Sequence, residues 1–139
     1  MKKVIVILFV IIISSCESTK NILQIYYFDN EVSSPIRADC NLMFTFYGLK
    51  KIEISDKKEI KDITEKIRQL KKSNLDNQID IRYQVIVNKD TLCFDRFSNV
   101  LYNGQRKENA AELLSTVNKM IDKNKNKAMV INKIPISVD

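Results

Sequence analysis

The chain has 139 residues, a formal net charge of +6, 45% apolar residues and no histidine. This length suits one domain, and the ordinary composition argues against a mostly disordered chain or a fibrous repeat. Without histidine the chain lacks the commonest metal ligand and the usual general base, so a Ser-His-Asp or Cys-His nucleophile system is excluded within it.

The chain begins with a short basic segment followed by an apolar run. Met1-Lys2-Lys3 precedes ten consecutive apolar residues, Val4 to Ile13. As a helix this run spans about 15 Å, half of the ~30 Å hydrocarbon core of a bilayer, so it is too short to cross a membrane. A positive start, a short apolar middle and small residues afterwards are typical of a cleaved export signal.

The next residues, Ile13-Ser14-Ser15-Cys16, resemble the lipobox of bacterial lipoproteins, which has an aliphatic residue, two small residues and an invariant cysteine. The resemblance implies that residues 1–15 are a signal peptide, cleaved between Ser15 and Cys16, and that the Cys16 thiol carries a diacylglyceryl group. Residues 16–22 would then be the lipidated cysteine and a polar tether. The implied location is the cell membrane or outer membrane, with the domain facing the periplasm or the cell exterior. The alternative is an ordinary secretory signal with an unmodified Cys16.

The mature chain is predicted to form one domain over residues 23–122. Leu23 to Phe28 is apolar and aromatic and predicts the first strand. Residues 40–47 are compatible with a short helix that Asp39 caps and Gly48 ends, which we favour, or with a strand. Lys50 to Ser55 alternates in polarity and predicts another strand.

Two amphipathic helices are predicted. The first runs from about Lys57 to Leu70, with Asp56 as its N-cap and an apolar stripe of Ile60, Ile63, Ile67 and Leu70. The second runs from about Ala110 to Asp122, with Asn109 as its cap and a stripe of Ala110, Leu113, Leu114, Val117, Met120 and Ile121.

Further strands lie between the two helices. Residues 79–87 alternate in polarity, Asn88-Lys89-Asp90 predicts a turn, and Thr91 to Phe97 predicts the hairpin partner. Short strands at 100–102 and 105–107 flank Asn103-Gly104, which is typical of a type I′ turn. Residues 123–139 form a basic C-terminal tail, whose end permits an edge strand or a frayed segment. The predicted fold is therefore α+β, a mainly antiparallel sheet of about five strands with two main helices on one face.

Two cysteines remain once Cys16 is assigned to lipid. Outside the cytoplasm, Cys40 and Cys93 could form a disulfide closing a loop of about 54 residues, worth about 4 kcal/mol on the chain-entropy model. The alternative is two buried thiols. Neither a CxxC pair nor a third soft ligand accompanies them, and two glycines cannot build a phosphate-binding loop. We expect no cofactor and no metal site.

Two features of the chain suggest chemistry or binding. Asp90 and Asp95 could form the acid/base pair of a hydrolase, but turn and surface roles are favoured, so no catalytic residue is assigned and no enzyme is expected. Aromatic residues cluster in the first third of the chain, where a groove for peptide or glycan competes with the favoured account, a buried core. They are Tyr26, Tyr27, Phe28, Phe44, Phe46 and Tyr47.

The expected function follows from the predicted anchor and a domain without catalytic residues. The chain as a whole is similar to the small envelope lipoproteins of AT-rich Gram-negative genomes, a likeness that implies a location and no activity. We expect a non-enzymatic binding or accessory module with the membrane and an envelope protein as partners. Only five of the 23 basic residues are arginine, so nucleic acid is not an expected partner. The alternative is an inhibitor or immunity lipoprotein that neutralises a toxin or lytic enzyme.

Overall fold

The computed structural model describes residues 21–29 and 37–131. The predicted signal peptide, the lipobox with Ser15 and Cys16, most of the tether and the last eight residues lie outside the described residues. The elements in chain order are β1 Leu23–Tyr27, a 3-10 helix Leu42–Thr45, β2 Lys50–Ile54, α1 Lys57–Arg68, β3 Lys71–Lys72, β4 Tyr83–Val87, β5 Asp90–Phe94, β6 Val100–Tyr102, β7 Gln105–Glu108, α2 Ala111–Asn124, a 3-10 helix Lys125–Lys127, and β8 Met129–Val130.

The strands form one antiparallel sheet in the order β3-β7-β6-β5-β4-β1-β2-β8. This confirms the α+β class with two helices, but the predicted count of about five strands is wrong, because the described residues form a sheet of eight strands. The two edge strands, β3 and β8, have two residues each, too few for alternation to show in the sequence. Both residues of β3 are lysines, which oppose pairing with a further strand at that edge.

Both helices pack on one face of the sheet. The apolar stripes of α1 and α2 share a buried cluster with strand residues such as Ile25, Ile52 and Phe94. The helices run antiparallel: the Lys66 ammonium lies 3.2 Å from the Glu112 carboxylate, and Lys123 pairs with Glu59 at the other ends.

The starts of the two helices differ from each other. The Asp56 carboxylate accepts hydrogen bonds from the backbone N–H groups of Lys58 and Glu59 and caps α1 as predicted. The cap predicted for α2 is wrong. Asn109 has a φ of +63° and Ala110 occupies the cap position with no side-chain bond, so Asn109 contributes the left-handed turn between β7 and the helix.

The opposite face of the sheet has its own smaller core. Segment 37–49 crosses it, and Met43, Leu49 and Ile81 are buried there. The favoured helix over 40–47 is present as one 3-10 turn, because the Asp39 carboxylate accepts hydrogen bonds from the N–H groups of residues 41 and 42. The structure joins Cys40 to Cys93 on β5 by a disulfide with a Cα separation of 5.9 Å. This bond fixes the crossing segment to the centre of the sheet.

The predicted strand over 79–87 begins only at Tyr83. The Arg82 N–H donates to the Phe94 carbonyl at 2.7 Å, while Tyr83 is the residue paired with Phe94 in the ladder. Two residues therefore oppose one, as in a β-bulge, which changes the face toward which the chain points. As a result Ile81 belongs to the smaller core, whereas Tyr83 belongs to the helix-side core.

The domain extends beyond residue 122 to at least residue 131. Asn124 is buried and its amide donates to the Met120 carbonyl at 2.9 Å. Met129 and Val130 pair with β2, and the Ile131 N–H donates to the Leu49 carbonyl. The lysines of 123–127 are exposed, which is why the sequence predicts a solvated tail here. However, Asn124 packs inside the domain, and Met129 and Val130 add the last strand to the sheet.

The two ends of the sheet have different surroundings. At the entry end, Leu23 pairs with Ile54 and Val87, next to the start of α1 and the turns at 88–89 and 103–104. At the distal end, Tyr27 pairs with Lys50 and Tyr83, next to the turn 95–99 that joins β5 to β6. The N-terminal segment thus enters the domain at the end opposite Tyr27.

Candidate functional site

A cleft of about 450 Å³ opens at the distal end between the sheet and α2. Neighbouring strands β1 and β4 bring two tyrosines to it, and the last turns of α2 form its other wall. The lining residues are Tyr27, Phe28, Asp29, Tyr83, Asn118, Ile121, Asp122 and Lys125. The cleft combines aromatic side chains with the charged side chains of Asp29, Asp122 and Lys125. This arrangement suits binding of a polar group.

Tyr27 is only 3% exposed, and its buried hydroxyl has no hydrogen-bond partner within the described residues. Burial raises the pKa of Tyr27, the charge of Lys50 opposes this rise, and the charges of Asp29 and Asp122 add to it. Tyr27 lines the cleft together with Asp29 and Asp122. A buried hydroxyl without a partner costs about 1–3 kcal/mol, which a bound polar atom could recover.

Lys50 and Asp29, which lie near Tyr27, form an ion pair with each other. The Lys50 ammonium lies 2.5 Å from the Asp29 carboxylate, and this hydrogen bond raises the pKa of Lys50. Burial raises the pKa of Tyr83, while the charge of Arg96 lowers it. Among the residues that the structure describes, the other buried side-chain oxygen or nitrogen without a partner is Gln84 Oε1, beside the disulfide.

The turn after β5 is held by side-chain hydrogen bonds and presents Phe97 to solvent. The buried Asp95 carboxylate accepts hydrogen bonds from the Phe97 N–H at 2.7 Å, the Asn99 N–H at 2.9 Å and the Asn99 side-chain amide at 2.5 Å. The Arg106 guanidinium donates to the Asn99 amide oxygen at 2.5 Å, and Ser98 has a φ of +67°. The Phe97 side chain nevertheless remains 83% exposed.

Other exposed apolar side chains gather at the same end. Tyr47 precedes β2 and is 55% exposed, while Val130 pairs with Lys50 and Ile131 follows it. Six large apolar side chains are exposed in 21–29 and 37–131, and four of them lie at the distal end: Tyr47, Phe97, Val130 and Ile131. By contrast, exposed Leu75 lies in the loop that reaches the entry-end turn at Gly104.

The two carboxylates considered as a catalytic pair lie at opposite ends of β5. Asp90 is at the entry end, where its carboxylate accepts hydrogen bonds from the Tyr102 hydroxyl at 2.8 Å and the Asn103 amide at 3.1 Å. Asp95 lies five residues on, about 17 Å away along an extended strand. A glycosidase pair requires a separation of roughly 5–10 Å, so the structure does not bring these two carboxylates together as such a pair.

Most of the clustered aromatic residues pack in the smaller core. The Tyr26 and Phe44 rings meet edge to face at 5.0 Å, and the Phe28 and Phe46 rings at 6.3 Å. Of the proposed groove residues, Tyr27 and Phe28 line the cleft and Tyr47 is exposed near it. Sequence reasoning missed the cleft itself, because its walls come from segments about 90 residues apart. It assigned Phe97 to a strand, although the flanking Asp95, Ser98 and Asn99 are residues that favour turns.

In a groove between α1 and α2, unlike in the cleft, the charged side chains are paired with each other. The Lys66 ammonium bridges the Asp62 carboxylate at 2.8 Å and the Glu112 carboxylate at 3.2 Å. Both hydrogen bonds raise the pKa of Lys66, that to Asp62 more. The charges along this groove therefore serve to join the helices.

No group of three or more cysteine, aspartate or glutamate side chains in the described part of the chain is placed to hold a metal ion. Nor is any helix within residues 21–29 and 37–131 long and apolar enough to cross a membrane. Comparisons with protein-family models, with curated proteins and with solved structures find no match to the chain.

Proposed function

We propose that the protein is a non-enzymatic binding module held at the cell envelope by a lipid on Cys16. The lipobox-like residues Ile13 to Cys16 support the anchor. The disulfide between Cys40 and Cys93 supports export, because such bonds persist in oxidising compartments and are rare in the cytosol. The lipid anchor and the disulfide thus point to the same location.

The topology supports a separation between anchoring and binding. Six residues lie between Cys16 and the first strand, so the two are at most about 25 Å apart. That strand starts at the entry end, and its four rises carry the chain about 14 Å toward the distal end. In this arrangement the cleft lies on the part of the domain remote from the point of attachment.

The observation that carries the binding proposal is the buried, unpartnered hydroxyl of Tyr27 in the cleft wall. A phenylalanine at this position would keep the packing and avoid the cost of desolvating a hydroxyl. The hydroxyl is therefore better explained by a partner that the isolated domain does not contain. Replacing Tyr27 with Phe should lower the yield of crosslinks to envelope partners in intact cells while the anchored protein stays folded.

The anchor is tested by cell fractionation and intact mass. Wild type should be membrane-bound, lack residues 1–15 and carry acyl chains on Cys16, whereas Cys16→Ser should be released or unprocessed. Ser18→Ala, beyond the cleavage point, serves as the matched control and should behave as wild type. Tight membrane retention of Cys16→Ser without acylation of wild type would refute the lipid anchor.

A second candidate is an inhibitor or immunity lipoprotein that neutralises a toxin or lytic enzyme. The specific observation in its favour is the hydrogen-bonded turn that presents Phe97, because a preorganised loop loses little entropy when it enters an enzyme cleft. Cells lacking the protein should then become sensitive to the enzyme, and wild type but not Phe97→Ala should restore resistance. Equal sensitivity with and without the protein would dismiss this candidate.

A further inference from the structure

The two sulfurs of the Cys40–Cys93 bridge differ in their access to solvent. Cys93 lies within β5 and is only 1% exposed, whereas Cys40 lies in the crossing segment and is half-buried. The residues on either side of Cys40, Asp39 and Asn41, are exposed. Because thiol–disulfide exchange requires direct attack on a sulfur, an external thiolate reaches the bridge most easily at Cys40.

A buried glutamine accompanies the less accessible sulfur. Gln84 pairs with Cys93 across β4 and β5 and is 5% exposed. Its amide nitrogen donates to Cys93 Sγ at 3.7 Å and to the Cys40 carbonyl at 3.4 Å, while its amide oxygen has no partner within the described residues. A leucine here would fill similar space without the cost of burying an unpaired oxygen. The closed bridge therefore does not explain the amide.

The open bridge gives both ends of this amide a hydrogen bond. A disulfide sulfur is a weak acceptor, but a thiolate is charged and accepts more strongly. The hydrogen bond from the Gln84 nitrogen therefore becomes stronger when Cys93 leaves as a thiolate. Once Cys93 is protonated, its S–H group can donate to the amide oxygen that lacks a partner in the closed form.

The crossing segment has attachments to the sheet besides the bridge. Met43 in this segment is fully buried in the smaller core, and the Ile81 N–H donates to the Ala38 carbonyl at 2.9 Å. These contacts do not involve either sulfur. They hold Cys40 beside Cys93 when the bridge is open, so the bond can form again.

We propose that the Cys40–Cys93 bridge is a site of thiol–disulfide exchange. The thiolate of an external thiol attacks Cys40 Sγ and forms a mixed disulfide with it. The bond between the two cysteines breaks, its electron pair passes to Cys93 Sγ beside the Gln84 amide, and that sulfur takes a proton from water. A second external thiolate then attacks the external sulfur, so that Cys40 leaves as a thiol and two external thiols become one disulfide. This inference goes beyond the proposed function and depends on neither the anchor nor the cleft.

The order of attack is tested with 2-mercaptoethanol on the purified exported protein under native conditions. Samples quenched with acid at early times should show, by peptide mapping, the mercaptoethanol adduct on Cys40 in at least about tenfold excess over Cys93. The same maps report Cys16 separately. Equal labelling of the two cysteines, or a bridge that opens only in denaturing urea, would overturn the proposal.

Gln84→Leu tests the amide in a protein that keeps its bridge. It should slow opening about tenfold, as expected when a charged sulfur loses a hydrogen bond. Its unfolding free energy in urea should equal or exceed that of wild type, and loosened packing would speed opening instead of slowing it. Gln24→Leu, on the same face of neighbouring β1, is the matched control and should leave the rate unchanged. Opening of Gln84→Leu at the wild-type rate, or an equal slowing by Gln24→Leu, would refute the assignment of Gln84.

Discussion

Each end of the sheet has a tyrosine hydroxyl near an aspartate, but only the hydroxyl at the entry end is hydrogen-bonded. At the entry end the Tyr102 hydroxyl donates to the Asp90 carboxylate at 2.8 Å, and this bond raises the pKa of Tyr102. At the distal end the Tyr27 hydroxyl has no partner, although Asp29 lies close enough to affect its pKa. Asp29 is bonded to Lys50 instead.

The two ends also differ in the side chains that they expose to solvent. The entry end closes with the polar turns Asn88-Lys89 and Asn103-Gly104, whereas the turn at the distal end presents Phe97. The entry end has a hydrogen-bonded tyrosine, polar turns and one exposed large apolar side chain, Leu75. The distal end leaves a hydroxyl unsatisfied and exposes several aromatic and aliphatic side chains. A fold optimised only for stability would resemble the first end throughout, so the contrast supports the proposal that the distal end is the binding site.

The largest expected effect comes from the disulfide, on which the scaffold of both ends depends. The double variant Cys40→Ala, Cys93→Ala should lose about 4 kcal/mol of unfolding free energy, because the unfolded chain regains the freedom of a loop of about 54 residues. Urea denaturation with and without reductant measures this, and reduced wild type should match the variant. Two free thiols in the non-reducing intact mass of the exported protein would contradict the bond.

The next effect is confined to the distal end. Asp95→Ala should cost about 3 kcal/mol, because two backbone N–H groups and an amide lose their charged acceptor. Asp122→Ala, which removes an exposed carboxylate at the same end, should change stability by less than about 0.5 kcal/mol. Urea denaturation of both variants provides the comparison, and equal stabilities would show that Asp95 does not hold the Phe97 turn.

Local sequence patterns predicted the parts of the fold that have regular periodicity. Ile60, Ile63 and Ile67 repeat with helical spacing and are buried in α1 as expected. The turn predicted at Asn103-Gly104 is also confirmed. Its φ values are +48° and +79°, which asparagine and glycine tolerate.

The distal end could not be predicted in the same way. The bulge at Arg82 moves Ile81 to the other face without breaking the alternation in the sequence. The cleft brings Tyr27, Tyr83 and Asp122 together only after the sheet has formed and α2 has packed across it. Its key feature, a missing hydrogen bond, is a property of tertiary packing and has no counterpart in a sequence pattern.

A smaller effect is expected at the entry end. Tyr102→Phe should cost about 1 kcal/mol, because it removes the hydrogen bond to Asp90. Tyr47→Phe, which alters an exposed tyrosine, should be neutral within about 0.5 kcal/mol and serves as the control. If both variants are equally stable in urea, the entry end is not stabilised by this pair.

The distal tyrosines should also make stability depend on alkaline pH. Burial raises the pKa values of Tyr27 and Tyr83 above the ordinary 10.0. Their contribution is complete below about pH 10 and is lost as pH rises through the raised folded-state values, because the unfolded chain releases these protons first. Urea denaturation between about pH 8 and pH 11 should show a shallower decline for Tyr27→Phe and Tyr83→Phe than for wild type. Parallel declines would contradict burial of the two phenols.

The central claim is tested most directly by the unfolding free energy of Tyr27→Phe, measured beside Tyr102→Phe in the purified protein without a partner. The account predicts that Tyr27→Phe is as stable as wild type or more stable by up to about 1 kcal/mol, because the lost hydroxyl had no hydrogen bond to give up. A loss as large as that of Tyr102→Phe would show that the hydroxyl is already satisfied within the domain. That result would contradict its assignment as the polar contact of a binding site.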